Sequence, residues 1–247
     1  MAIIGITDSG LGGLSVLNSM YRINDRHSYI YLADNLNSPY GIKSQSKITE
    51  LTENCVNYLK GKGADIIVLA CNTATSAAVD YLRSINHIEI VGTEPAIFPA
   101  LKDKHRKILV LATPFTINSE RYIRLTEKYS DRIVNCPCRD LARLIDDTAP
   151  DFNKLYDYME SILKPFRDCT GIVLGCTHYV LLKDIIHRII PSAMIYDSSE
   201  GIAKRVNFLL NKHRIFSEDT HNNISFIFTG KDEEKLYRDV INNILFR

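Results

Sequence analysis

The sequence carries no excess of charge of either sign: 30 lysines and arginines stand against 29 aspartates and glutamates, for a formal net charge of +1. That balance leaves no basic stripe for a polyanion, and nucleic acid is not expected as a partner. Also missing is any apolar run near the roughly 20 residues that span a bilayer, so a membrane is not expected either. The opening Met1-Ala2-Ile3-Ile4-Gly5-Ile6-Thr7-Asp8 has no basic segment and no cleavage site. It reads as a first strand, and the chain as cytoplasmic. Cysteines are sparse and irregular, at positions 55, 71, 136, 138, 169 and 176, which excludes a disulfide framework and favours reduced thiols. Cys136-Pro137-Cys138 with the distant Cys176 and His178 lacks zinc-site spacing, so no metal is expected.

What is present is the alternation of an α/β protein. Short apolar runs, each suited to a strand buried on both faces, alternate with segments of helical period. The strands are expected at 3–7, 29–32, 66–70, 88–91, 108–112, 172–175 and 224–228. Helical segments are expected at 46–60, 76–84, 118–129, 151–166 and 180–189, with a last helix at 232–246.

The chain also repeats itself faintly. Ile66-Ile67-Val68-Leu69-Ala70-Cys71-Asn72-Thr73 is similar to Gly171-Ile172-Val173-Leu174-Gly175-Cys176-Thr177-His178, an offset of 105 residues. The same offset maps Asp8, after the first strand, onto Thr113, after the strand at 108–112. Two similar α/β halves are therefore expected, with mainly parallel sheets and a site in the cleft between their strand ends, where ligands of open α/β sheets bind. The boundaries are expected at 1–93 plus 206–247 for the first domain and 94–205 for the second.

The chemistry gathers at those strand ends. Asp8-Ser9-Gly10-Leu11-Gly12-Gly13 leads from a strand into a helix, a turn that lets backbone approach closely and offers N–H groups to an anion. A partial dinucleotide-binding reading, with Asp34 at the ribose, lacks its third glycine, whose place Ser15 takes. Cys71 and Cys176 each end a buried strand and precede polar residues. Taking a proton from an amino acid's α-carbon and returning one to the opposite face needs two opposed acid/base groups, and a pair of thiols supplies them. Asp8 beside Cys71 and His178 beside Cys176 are the natural proton partners. Asn72, Thr73, Thr113, Thr116 and Thr177 are candidates to bind carboxylates and an ammonium group, although Thr113-Pro114 also reads as a helix cap.

These motifs resemble those of glutamate racemase, in the aspartate/glutamate racemase superfamily. The likeness rests on Asp8-Ser9-Gly10-x-Gly12-Gly13, Pro39-Tyr40-Gly41, Ala70-Cys71-Asn72-Thr73-Ala74, Glu94-Pro95, Thr113-Pro114-x-Thr116, Leu174-Gly175-Cys176-Thr177-His178-Tyr179 and Phe228-Thr229-Gly230. The resemblance implies a cofactor-independent isomerase in which Cys71 deprotonates the D-isomer and Cys176 the L-isomer, assisted by Asp8 and His178. It implies substrate contacts at Ser9, Tyr40, Gly41, Asn72, Thr73, Thr113, Thr116 and Thr177, a homodimer, and a bacterial enzyme making D-glutamate for peptidoglycan. Three departures stand out. Leu144-Ile145-Asp146-Asp147 lies where the family usually has a glutamate, Ala33-Asp34-Asn35-Leu36-Asn37-Ser38 lacks the usual pattern before Pro39, and Val180 replaces a common proline. Racemisation of aspartate or another amino acid, a chemistry that uses one thiol, and a non-catalytic amino-acid sensor are the alternatives.

Overall fold

The computed structural model describes residues 2–23, 25–103, 105, 107–215 and 223–242. Nine strands form among them: β1 (Ile3–Asp8), β2 (Ser28–Ala33), β3 (Ile66–Leu69), β4 (Glu89–Gly92), β5 (Ile108–Ala112), β6 (Ile133–Pro137), β7 (Gly171–Leu174), β8 (Met194–Tyr196) and β9 (Ile224–Phe228). They build two sheets, in the orders β4-β3-β1-β2-β9 and β6-β5-β7-β8. Every pairing is parallel. The fold is α/β, as the sequence pattern implies.

The two sheets repeat one another. With β1 matched to β5, β2 to β6, β3 to β7 and β4 to β8, the second sheet carries the strand order of the first, which has β9 added at its edge. The repeat is not a uniform offset, however. Ile4 faces Ile66 in the first sheet and Ile108 faces Gly171 in the second, an interval one residue longer. The 105-residue offset therefore holds for β3 and β7, while by register Thr113 matches Ser9 rather than Asp8.

Parallel strands covered on both faces need apolar residues at successive positions, and β3 shows why. Its Ile66 and Val68 point into a core shared with Leu109, Leu111, Ile172 and Leu174 of the second sheet, while Ile67 and Leu69 point into a separate core of the first half. One apolar body thus runs beneath both sheets and sets their strand ends face to face.

After β8 the chain returns. The helix Ser199–Lys212 packs on the helix Leu14–Ile23, and β9 then pairs with β2. The last helix covers Glu234–Val240; residues 243–246, expected to continue it, lie outside the described residues. The segment expected to be helical at 118–129 is broken into Pro114–Asn118, Glu120–Thr126 and a 3-10 turn, because Ser119 caps the second piece by accepting from Tyr122 N. Strands β6 and β8 were not expected from the sequence. Both are sheet edges, one half-exposed and ending in proline and the other three residues long, so neither carries a buried apolar run.

Candidate active site

Cys71 follows β3 and Cys176 follows β7, so each half contributes one thiol at the end of an equivalent strand. Each is only 6% exposed. Cys71 caps the helix Asn72–Ile85, its Sγ accepting from Ala74 N at 3.4 Å, and Ser9 Oγ lies 3.9 Å away. Burial, with the Asp8 carboxylate nearby, pushes the Cys71 thiol up to about 12, against the opposing pull of Ala74 N–H. Left alone, this thiol keeps its proton.

Asp8 ends β1 and is 2% exposed. Its carboxylate accepts from Gly10 N at 2.7 Å and from Thr177 Oγ1 at 3.0 Å, the second bond crossing from one half to the other. Burial raises it to about 6, with His178 and these two hydrogen bonds pulling the other way.

His178, also 2% exposed, lies with Nδ1 3.9 Å from Cys176 Sγ. Its Nε2 stands 3.1 Å from Asp146 Oδ1, an ion pair without hydrogen-bond alignment. Burial opposes the imidazolium, yet Asp146, Cys176 and Asp8 together outweigh it and hold the group well above its ordinary value. A charged His178 beside Cys176 is the kind of setting that stabilises a thiolate. Cys71 feels both groups, Asp8 pushing its thiol up and His178 pulling it down, while Cys176 Sγ has the His178 ring 3.9 Å away.

The glycine turn makes this approach possible. A Cβ on Gly12 would stand 2.4 Å from both the backbone N and Nδ1 of His178, and one on Gly10 would stand 2.7 Å from Asp146 Oδ2. Only residues without side chains let the first half press so close on the second.

Three hydroxyls close the other side. Thr73 Oγ1 and Thr113 Oγ1 are 3.0 Å apart, Thr113 and Thr116 Oγ1 3.0 Å, and Thr73 and Thr116 3.4 Å. Thr113 also caps the helix Pro114–Asn118, its hydroxyl accepting from Thr116 N at 3.2 Å, so the capping reading of that residue holds. Asn72 gives its amide N–H to Thr93 O at 3.4 Å, while its Oδ1 is buried without a partner. Gly41 faces the Thr113 side chain.

Tyr40 is drawn into another network, donating to Asp34 Oδ2 at 2.5 Å, while Asp34 Oδ1 accepts from Thr229 and Asn37 at 2.6 and 2.9 Å. Asp34, weighed as a ribose partner, is thus spent inside the fold. Of the two aspartates in the place of the family's glutamate, Asp146 turns inward and Asp147 pairs with Arg143 at the surface, 3.2 Å apart. Sequence reasoning did not single out Ser38, which donates to Asp146 Oδ2 at 3.2 Å; its only signal was the departure from the family pattern before Pro39. Cys136 and Cys138 lie 3.9 Å apart, off to the side at the edge strand β6.

The chain is similar in sequence and fold to known glutamate racemases. A glutamate racemase of Leptospira interrogans is 40% identical over 237 residues, covering 94% of this chain and 92% of that protein. One of Clostridium acetobutylicum is 39% identical over 220 residues, covering 87% and 86%. The crystal structure of Escherichia coli glutamate racemase, in complex with L-glutamate and the activator UDP-MurNAc-ala, superposes with a TM-score of 0.83 at 27% identity, covering 98% of this chain and 95% of that one. The family model described as Asp/Glu/Hydantoin racemase matches residues 4–204. The chain belongs to the Asp/Glu/hydantoin racemase family.

Proposed function

We propose that this chain racemises glutamate without a cofactor, with Cys71 and Cys176 as opposed acid and base. The observation that carries this reading is that two buried thiols, delivered by equivalent strands of two halves, share surroundings that hold the ionisable side chains Asp8 and His178. Relatives named glutamate racemase and a structural neighbour solved with L-glutamate support the choice of substrate.

From L-glutamate, the Cys176 thiolate takes the α-proton, and the C–H electron pair passes into the adjacent carboxylate as an enolate-like intermediate. Cys71 gives its proton to the opposite face of that carbon and is left as thiolate. The ordinary protonated state of Cys71 suits it to this donor role. From D-glutamate the steps reverse: the Cys71 thiolate takes the α-proton, and the Cys176 thiol gives its proton to the opposite face and is left as thiolate. His178, with Nδ1 3.9 Å from Cys176 Sγ, is the near proton partner of that thiol.

Substrate would be held by Ser9, Tyr40, Gly41, Asn72, Thr73, Thr113, Thr116 and Thr177. The unpartnered Asn72 Oδ1 suits the ammonium group, and the threonine hydroxyls suit a carboxylate. Burial of both thiols supports a parting of the halves to admit substrate and a closing that excludes water from the intermediate. The boundary expected at 205/206 would cut the continuous helix Ser199–Lys212, which packs on Leu14–Ile23, so the parting units would be residues 1–93 with 199–247, and 94–198. The family resemblance supports a homodimer that works in the cytoplasm and supplies D-glutamate to peptidoglycan synthesis. Among the described residues no helix is long and apolar enough to cross a membrane.

The test is circular dichroism of L-glutamate incubated with the purified protein in metal-free, cofactor-free buffer. Decay of the signal to zero, with equal amounts of both enantiomers, is expected. Unchanged L-glutamate beside racemised aspartate would overturn the substrate, and no change in any amino acid would favour the sensor.

A further inference from the structure

We propose that Ser38 is a positioning residue for this reaction: its hydroxyl, delivered by the first half, fixes the Asp146 carboxylate of the second half against His178. The inference rests on the racemase reading of the site and assigns a residue whose type departs from the family pattern.

The need arises from Asp146. Its side chain is 24% exposed, at the edge of a cavity of about 450 Å³ that Gly10, Ser38, Pro39 and Arg143 also line. A carboxylate in that position gains hydration by turning outward, whereas the buried His178 needs it inward. Aspartate is also one methylene shorter than the glutamate usual at this place, so its reach leaves little slack. Three contacts oppose the outward turn: His178 Nε2 at 3.1 Å and Leu11 N at 3.4 Å, both on Oδ1, and Ser38 Oγ at 3.2 Å on Oδ2. Ser38 alone among them engages the second oxygen, and two points are what fix the plane of a carboxylate.

Ser38 is itself well anchored. Its backbone N donates to Asn35 O at 3.4 Å, and Asn35 in turn accepts from Gly230 N at 2.9 Å and donates to Lys231 O at 2.8 Å. Asp34, one residue earlier, accepts from Thr229 Oγ1. The segment is therefore tied to the chain just after β9, in the first half. Leu11 also belongs to the first half, while Asp146 and His178 belong to the second. When the halves part, Asp146 loses two of its three partners, so closure of the cleft and the charge on His178 become linked.

The groups facing His178 are Asp146, Cys176 and, from β1, Asp8. Those near Asp146 include Asp8, Tyr31 of β2 and Tyr237 of the last helix. Arg143, on the same helix as Asp146, is engaged with Asp147 and Asp140. Ser38 is thus a neutral donor that acts on one carboxylate and adds no charge of its own.

The test compares wild type, Ser38→Ala, Ser38→Thr, Asp146→Asn and the Ser38→Ala/Asp146→Asn double variant with both enantiomers. Because L- and D-glutamate have equal free energy, kcat/KM must change equally in the two directions, so the pH profile is the discriminating readout. Ser38→Ala should lose roughly tenfold in kcat/KM, the order expected for one hydrogen bond to a charged group. Its alkaline limb should move to lower pH as His178 holds its proton less firmly, and a ¹⁵N-imidazole NMR titration should show the same shift at His178. Threonine at 38 should restore both, and in the Asp146→Asn background Ser38→Ala should have no further effect. Wild-type turnover with an unchanged Ser38→Ala profile, or an equal loss in the Asp146→Asn background, overturns the assignment of Ser38 alone. Failure of the wild type to turn over glutamate overturns the reading beneath it.

Discussion

Replacing Gly12 by alanine is the sharpest perturbation of the contact between the two halves. The added Cβ would lie 2.4 Å from the backbone N and from Nδ1 of His178, and 2.7 Å from Thr177 Oγ1, where ordinary contact begins at 3.4 Å. Something must shift by about 1 Å. The obstructing backbone N cannot rotate away, since it belongs to the turn that also carries Cys176, so the second half must back off from the first. Overpacking of this kind costs about 1–3 kcal/mol, which in a domain of this size lowers the melting temperature by roughly 2–4 °C per kcal/mol. The effect on activity should be larger, because the shift separates Cys176 from Cys71. A displacement near 1 Å costs on the order of 10²-fold in rate. Gly201→Ala is the matched control: it lies in the helix Ser199–Lys212 with nothing within 4 Å of its added Cβ. It should stabilise by about 0.5–1 kcal/mol and leave kcat/KM unchanged. Thermal melts and initial rates of both variants decide the matter. Wild-type rate and melting in Gly12→Ala would refute the claim that the glycine turn is pressed against His178.

Other predictions follow from individual side chains. Asp8 titrates at about 6 in the folded protein and near 4 in an unfolded chain, so the folded state binds its proton more tightly. Stability from this group is full below pH of about 4 and falls as pH rises through about 6, by on the order of 3 kcal/mol; urea melts of Asp8→Asn should lack that fall. Thr113→Val removes one member of the hydroxyl cluster and should raise KM roughly tenfold with a smaller change in kcat, read from steady-state kinetics. Tyr40→Phe takes a donor from the buried Asp34 carboxylate and should cost about 1–3 kcal/mol in chemical denaturation, since the remaining donors Thr229 and Asn37 bind only Oδ1.

Much of the architecture was legible because buried parallel strands write themselves as apolar runs. Strands β1, β3, β5 and β7 all read this way, and the residues at or just beyond their ends, Asp8, Cys71, Thr113 and Cys176, stood out as polar groups where a core would waste them. The edge strands β6 and β8 were not legible, since exposure on one side dilutes their apolar pattern. Nor could the sequence register the one-residue difference between the halves, which only strand pairing reveals. The same limit applies to long-range polar contacts. Asp146 was ambiguous with Asp147 until the helix Leu141–Thr148 turned one inward and the other out, and Ser38 meets Asp146 across 108 residues with no local signature.

The most direct measurement of the two-thiol mechanism is ¹H NMR of glutamate in D₂O with wild type, Cys71→Ser and Cys176→Ser. In the wild type, loss of the α-proton should accompany loss of optical rotation at a matching rate. Each single serine variant should lose racemisation by several orders of magnitude, because either missing thiol leaves one face of the carbon without an acid or base. Full racemisation by either variant would contradict the account, since one thiol would then suffice.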